Sequence, residues 1–178
     1  MKINNKGFTL IELLATMVIL SIIMVVAVPN VMGILNGSRA NTYVEDAKKL
    51  ISLAEYEIRA TPSLRPDKNA CTALTLSYLD DSELDNAPNG GAYESENSYV
   101  IVVNKPTAAG KNRYVYYVTL DERLENGSHR GIKAKSYDDL YSEDSNDLVI
   151  NGSGVLGAPT SVKGTVGCTG TLTTKTQT

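Results

Sequence analysis

This chain predicts an α+β fold: one long N-terminal helix, apolar in its first half and amphipathic in its second, packed against a small antiparallel sheet. Three observations carry that expectation. From Phe8 to Val28 there are 21 residues whose only charge is Glu12. Beyond Arg39 the apolar residues recur at steps of three and four, the period of a one-sided helix. Further on, SYVIVV (98–103) and NRYVYYVTL (112–120) are rich in β-branched and aromatic residues, as strands are.

The apolar stretch comes first. At about 1.5 Å per residue, 21 helical residues span roughly 31 Å, which matches the hydrocarbon core of a bilayer. Lys2 and Lys6 precede it with no acid among them, so the positive-inside rule keeps the leader cytoplasmic and sends the rest outward. Glu12 is the anomaly, since a carboxylate in such a helix needs a partner. A cleaved secretory signal has a shorter apolar region and a small-residue cleavage site. Here Pro29-Asn30-Val31-Met32 comes next instead. A plain signal anchor fits the length and leaves Glu12 without a role.

The run Lys6-Gly7-Phe8-Thr9-Leu10-Ile11-Glu12 resembles the class III leader of type IV pilins and pseudopilins, and Pro29 stands 21 residues after Phe8, where that family commonly has a proline. The resemblance covers about the first 30 residues. It implies cleavage between Gly7 and Phe8 by a prepilin peptidase, N-methylation of the Phe8 amine, and pairing of Glu12 with the amine of a neighbouring subunit. Such a pair is attractive in a low-dielectric bundle, and losing one member strands the other charge. It further implies a pilin-like head, a platform protein and an assembly ATPase as partners, and the adhesion and twitching motility of a fimbrium.

The helix continues past Pro29. Gly33 and Gly37 make Pro29–Ser38 its weakest stretch. Tyr43, Val44, Ala47, Leu50, Ile51, Ala54 and Ile58 then form one apolar stripe, with Glu45–Lys49 and Glu55–Arg59 as i,i+4 pairs. Thr61-Pro62 ends it. The expected organisation is a leader (1–7), an apolar membrane and assembly helix (8–28), its amphipathic continuation (29–61) and a head (62–178).

Within the head, residues 62–97 read as an irregular connection containing Pro62, Pro66, Pro88 and Asn89-Gly90-Gly91, with a short helix or turn at Leu74–Leu79. The antiparallel sheet is expected within 98–168. Its clear strands are 98–103 and 112–120, joined across 104–111. GIKAKS (131–136) alternates apolar and basic as a third, and 147–150 and 160–166 could add edges. The Thr-rich tail, 169–178, is expected to fray.

Composition narrows the function. The chain has 178 residues and a net charge of −3 with a pI near 5.2, so it carries no electrostatic footprint for nucleic acid. The two cysteines, Cys71 and Cys168, fall on the exported side, where a disulfide is the leading reading and two buried thiols the alternative. Asp80, Asp81, Glu83 and Asp85 form an acidic stretch able to attract Ca²⁺, but it lacks the spaced Gly and Glu of an EF-hand loop. It reads as a solvated loop, as do Glu143, Asp144 and Asp147. Asn36-Gly37-Ser38, Asn126-Gly127-Ser128 and Asn151-Gly152-Ser153 match sequons and read as turn or helix-breaking chemistry. His129, in Asn-Gly-Ser-His-Arg, is expected in a turn, beside no nucleophile motif. Neither a cofactor, a metal centre nor an enzyme is expected.

The expected function is a structural pilin, held as a single-pass protein in a bacterial cytoplasmic membrane with its head outward until assembly into a surface filament of its own copies. A minor pilin, or a pseudopilin of a secretion or DNA-uptake apparatus, is the alternative. A signal-anchored surface binding module stands outside both.

Overall fold

A computed structural model of the chain describes residues 8–79, 84 and 86–176. Gly7, Asp80, Asp81, Glu83 and Asp85 lie outside the described residues. The chain divides into two units, Met1–Ser38 and Arg39–Thr178. Helix α1, Leu10–Ala60, contributes to both, with Pro29 inside it.

In the second unit α1 buries Ala40, Tyr43, Val44, Asp46, Ala47, Leu50, Ile51, Ala54 and Ile58, which contains the whole stripe read from the periodicity. Burying a side chain such as Leu50 or Ile51 contributes about 1.5–3 kcal/mol each. On the exposed side Glu55 pairs with Arg59 at 3.3 Å, and Glu45 takes Lys48 at 2.9 Å. After Ala60 the chain turns through a short 3-10 segment, Pro62–Leu64. The Arg65 guanidinium then folds back onto the carbonyls of Ile58 and Arg59, at 2.9 and 2.8 Å, capping the helix end.

The remaining elements are β1 (Cys71–Thr75), α2 (Leu76–Leu79), β2 (Tyr99–Asn104), β3 (Tyr114–Arg123), β4 (His129–Ser136), α3 (Asp139–Ser142), α4 (Ser145–Leu148), β5 (Val149–Gly152), α5 (Pro159–Val162) and β6 (Leu172–Lys175). The six strands lie in the order β5-β4-β3-β2-β1-β6. Neighbours run antiparallel except β1 and β6, which are parallel. The fold is α+β: a long helix and a mostly antiparallel sheet.

The sheet is covered on both faces, which is why β2 reads as an unbroken apolar run. Val100 and Val102 face the helix with Leu74, Val118, Leu120 and Ile132. Tyr99, Ile101 and Val103 face the other way, with Cys71 and Ala73, against Val162, Val166 and Cys168. The second core is roofed by the segment leading from β5 to β6.

Several expectations change here. The stretch 62–97 is not wholly irregular: Cys71–Thr75 is a fully buried strand, and only Leu76–Leu79 of the expected Leu74–Leu79 turn is helical. Asp147 lies in α4, and the edge strand begins at Val149. Residues 160–166 form no strand; Pro159 supplies the preset φ of a first helical residue, and a single helical turn results. The tail does not fray throughout, because β6 finds β1 as its partner. His129 is the first residue of β4 rather than part of a turn, since Gly127, at φ +78°, has already completed the reversal.

Strand β4 also breaks the alternation read from GIKAKS. Its pairing slips by one residue against β3 between Val118 and Leu120, with Ala134 at φ +51°, which is bulge geometry. The bulge inverts the parity of the residues after it. Ile132 enters the helix-side core and Ala134 packs against the opposite one. Gly131 lies so close to β3 that a Cβ there would stand 1.9 Å from the Leu120 carbonyl oxygen.

Candidate assembly segment and buried sites

Helix α1 begins with a closed local device. The Thr9 amide and hydroxyl both donate to Glu12 Oε2, at 2.9 and 2.7 Å, and the Glu12 amide points back to Thr9 Oγ1 at 3.4 Å. This is a capping box, Thr-x-x-Glu, in which the residue capping the helix start and the third residue of the helix satisfy each other's orphan donors. Glu12 thus has an uncharged partner within its own chain, Thr9. The Thr9-x-x-Glu12 spacing was the signal.

From Phe8 (80 % exposed) to Leu35 the large apolar side chains of the first unit all face outward. By length and composition α1 is able to cross a membrane. Its polar groups fit such a setting: Thr16 and Ser21 return their hydroxyls to the carbonyls of Leu13 and Met17, both at 2.8 Å. Pro29 has no N–H to offer the preceding turn, and Asn30 Nδ2 donates to the Val26 carbonyl at 3.1 Å. Among the described residues, a Cβ added at Gly33 or Gly37 would meet nothing within 4 Å beyond the helix itself, so this part of the helix surface is open to a close neighbour.

In the second unit, adjacent residues of β3 send carboxylates to opposite faces. Asp121 points toward the roofing segment: Oδ1 pairs with His129 Nδ1 at 2.8 Å and Oδ2 accepts from the Leu156 amide at 3.4 Å. Burial raises the Asp121 pKa, and the His129 contact partly offsets it. The nearby Ser98 hydroxyl bonds to the Asp121 backbone, so the His–Asp pair stitches two strands and a loop together. Tyr99 donates to the Gly157 carbonyl at 2.6 Å, and burial pushes its phenol up to about 12.

Glu122, fully buried, points the other way. Its Oε2 accepts from Tyr43 on α1 and from Asn89 Nδ2 at 2.8 Å, and Oε1 receives the Gly91 amide at 3.3 Å. Tyr93 donates to Asp46 at 2.8 Å and meets Tyr43 edge-on, centroids 6.1 Å apart. Arg130, opposite Glu122 in the sheet, lies over the Tyr43 ring. Burial drives both phenols far above their ordinary range, with the carboxylates Glu122 and Asp46 adding to it. The network ties loop 86–94 to α1 and β3. Glu122 could have been found by parity, since it shares the helix-facing side of β3 with Val118 and Leu120.

Cys71 and Cys168 form a disulfide, both buried, with Cα atoms 5.9 Å apart. It joins the first residue of β1 to the chain just before β6. The acids Glu143, Asp144 and Asp147 are exposed; Asp144 caps α4 through the Asn146 amide, and Glu143 takes Lys135 at 2.5 Å. Among the described residues no three metal-ligating side chains gather.

Residues 2–28 match the prokaryotic N-terminal methylation motif. No curated protein matches the chain, and no solved structure does. The motif includes Gly7, Phe8 and Glu12 and stops one residue before Pro29. It is the class III prepilin leader, a segment carried by type IV pilins and pseudopilins. The long apolar helix and mostly antiparallel sheet make a pilin-like α+β architecture.

Proposed function

We propose that this chain is a structural pilin, made as a single-pass membrane protein, cut between Gly7 and Phe8 by a prepilin peptidase, N-methylated on Phe8 and polymerised into a surface filament. One observation supports this most: the methylation motif at residues 2–28 coincides with a helix whose apolar side chains are exposed all round. Such a surface is stable in lipid. Outside lipid it must be buried among copies of itself. A platform protein and an assembly ATPase are the further partners of this reading. Glu12 supplies the register, exchanging or sharing its Thr9 contacts with a neighbour's Phe8 amine.

The capping box makes the test selective. Glutamine serves the third position of such a box as glutamate does, so Glu12→Gln removes the charge and keeps the helix start. Membrane level should be unchanged while filament yield falls sharply, because a neighbouring ammonium is left without its counter-charge. Intact-mass analysis of sheared surface material should show a chain beginning at a methylated Phe8. A mature chain that retains Met1, or that starts beyond Val28, would overturn the proposal. Scarcity in the sheared fraction beside a more abundant pilin would assign it the minor role.

A further inference from the structure

The two ends of the sheet carry opposite charge. At the β5 end, residues 136–158 contain Asp138, Asp139, Glu143, Asp144 and Asp147 and no lysine or arginine. They fold as α3, α4 and β5, with Asp138, Glu143, Asp144 and Asp147 exposed. Lys135 answers Glu143 alone. At the β6 end a cavity of about 440 Å³ opens between the 63–68 turn and strands β1 and β6. Arg65, Lys68 and Lys175 line it against a single acid, Asp67. All three cations are exposed, and residues 159–178 add no acid. The strand order β5-β4-β3-β2-β1-β6 puts β5, with Asp144 and Asp147 of α4 beside it, at one edge and β6, with Lys175, at the other. Asp138 and Arg65 lie nearer the middle, each beside Tyr114 and Tyr116 of β3, and Asp138 also beside Arg113.

We infer that these edges are complementary halves of one contact between copies of this chain, the exposed Glu143–Asp147 segment of one copy lying against Lys68 and Lys175 at the β6-edge cavity of the next. The contact is heterologous: each copy uses one edge to bind and leaves the other free. A contact of that kind propagates into an open helical array when its rotation does not close. Charge placed this way fixes register and rejects wrong pairings more than it adds affinity. The inference rests on the proposed filament function and assigns the part of the head that touches its neighbour.

The test uses the full mature chain in detergent micelles and a carbodiimide, which couples a lysine amine to a carboxylate in contact with it. Intermolecular cross-links should join Lys68 or Lys175 to acids within 143–147. They should weaken between about 0.1 and about 1 M salt, as the screening length drops from about 10 to about 3 Å. Reversing one edge (Lys68→Glu with Lys175→Glu) removes the coupling lysines, so the reversal is read by filament yield and by the sedimentation of detergent-solubilised chains. Association should fall about tenfold or more through like-charge contact. Reversing the other edge as well (adding Glu143→Lys and Asp147→Lys) should restore it, with cross-links again joining positions 143 or 147 to positions 68 or 175, amine and carboxylate now exchanged. Absence of those cross-links, or failure of the double reversal to rescue, overturns the inference. Edge-specific cross-links in a chain that never forms filaments would instead sink the filament reading and leave the contact standing.

Discussion

Replacing Glu122 with alanine should weaken the head more than truncating any other polar side chain of its network. The carboxylate receives Tyr43, Asn89 and the Gly91 amide, and hydrogen bonds to a charged group contribute about 1.5–3 kcal/mol each. Those contributions do not sum. Asn89 is half-buried, so water can take over its bond, and the Gly91 contact is long at 3.3 Å. Tyr43 is completely buried; its hydroxyl is left with Asn89 as a donor and nothing to donate to. A loss of about 3 kcal/mol follows, about 2 from the stranded phenol and about 1 from the rest. For a head of this size that lowers Tm by roughly 10 °C. Tyr43→Phe should cost less, about 1–2 kcal/mol, because the carboxylate keeps its other donors. The double variant should be less destabilised than the sum by about 1 kcal/mol or more. Urea unfolding of the mature chain in detergent, followed by tyrosine near-UV dichroism, measures all three, since the chain has ten Tyr and no Trp. A Glu122→Ala loss under about 1 kcal/mol, or strict additivity with Tyr43→Phe, would refute the account of a network closed around Tyr43.

Three further outcomes are expected. Replacing Cys71 and Cys168 with serine releases a closure spanning 97 residues, worth up to about 4.7 kcal/mol on the loop-entropy model, so the head should melt more than about 10 °C lower; peptide mapping without reductant should show the single linked pair. Asp121 has a raised pKa when folded, so its contribution to stability is fully present below the unfolded carboxyl value and is lost as pH rises through the folded one. The stability–pH curve of Asp121→Asn should therefore lack the decline that the parent shows from about pH 4 upward, and an unchanged curve removes Asp121 as its source. At the β4 bulge, Ala134→Gly should stabilise the head by a few tenths of a kcal/mol to about 1 by relieving φ +51°, whereas Gly131→Ala should destabilise it severely, as measured by the same unfolding midpoint.

The features legible in the sequence were those that repeat locally. The stripe from Tyr43 to Ile58 announces itself at helical period, and β2 and β3 by their β-branched and aromatic runs. Strand β1 escaped because CTALT is short, holds Ala and Leu, and sits among prolines; its identity depends on β2 and β6, which lie far along the chain. Strand β6 escaped for the same reason, since LTTK is a frayed tail until β1 is beside it. TSVKGTV has strand composition, but Pro159 starts a helical turn and the roof of the second core needs compact chain there. At the N-terminus the Glu12 anomaly was plain, while its bonds to Thr9 were hidden behind the expectation of a charged partner. Asp121 and Glu122 fall just past the stretch 112–120 read as a strand and drew no reading, because burial of both depends on two layers closing over one sheet.

The parallel pairing of β1 with β6 sets a timetable. Synthesis delivers Cys71 and the β1 backbone first and Cys168 97 residues later, an interval of about 5–20 s at ordinary elongation rates. Once it has been made, β2 can cover only one side of β1. The other side, and one sulfur, wait for a segment not yet made. During that wait the chain contains no correct thiol for Cys71, so any oxidation must recruit a different molecule, and an unpaired strand edge beside it invites the same encounter. The failed product to expect is therefore a disulfide-linked dimer through Cys71, formed where a chain meets an oxidising exterior before the roof has closed, and non-reducing gels of overproduced protein should show it.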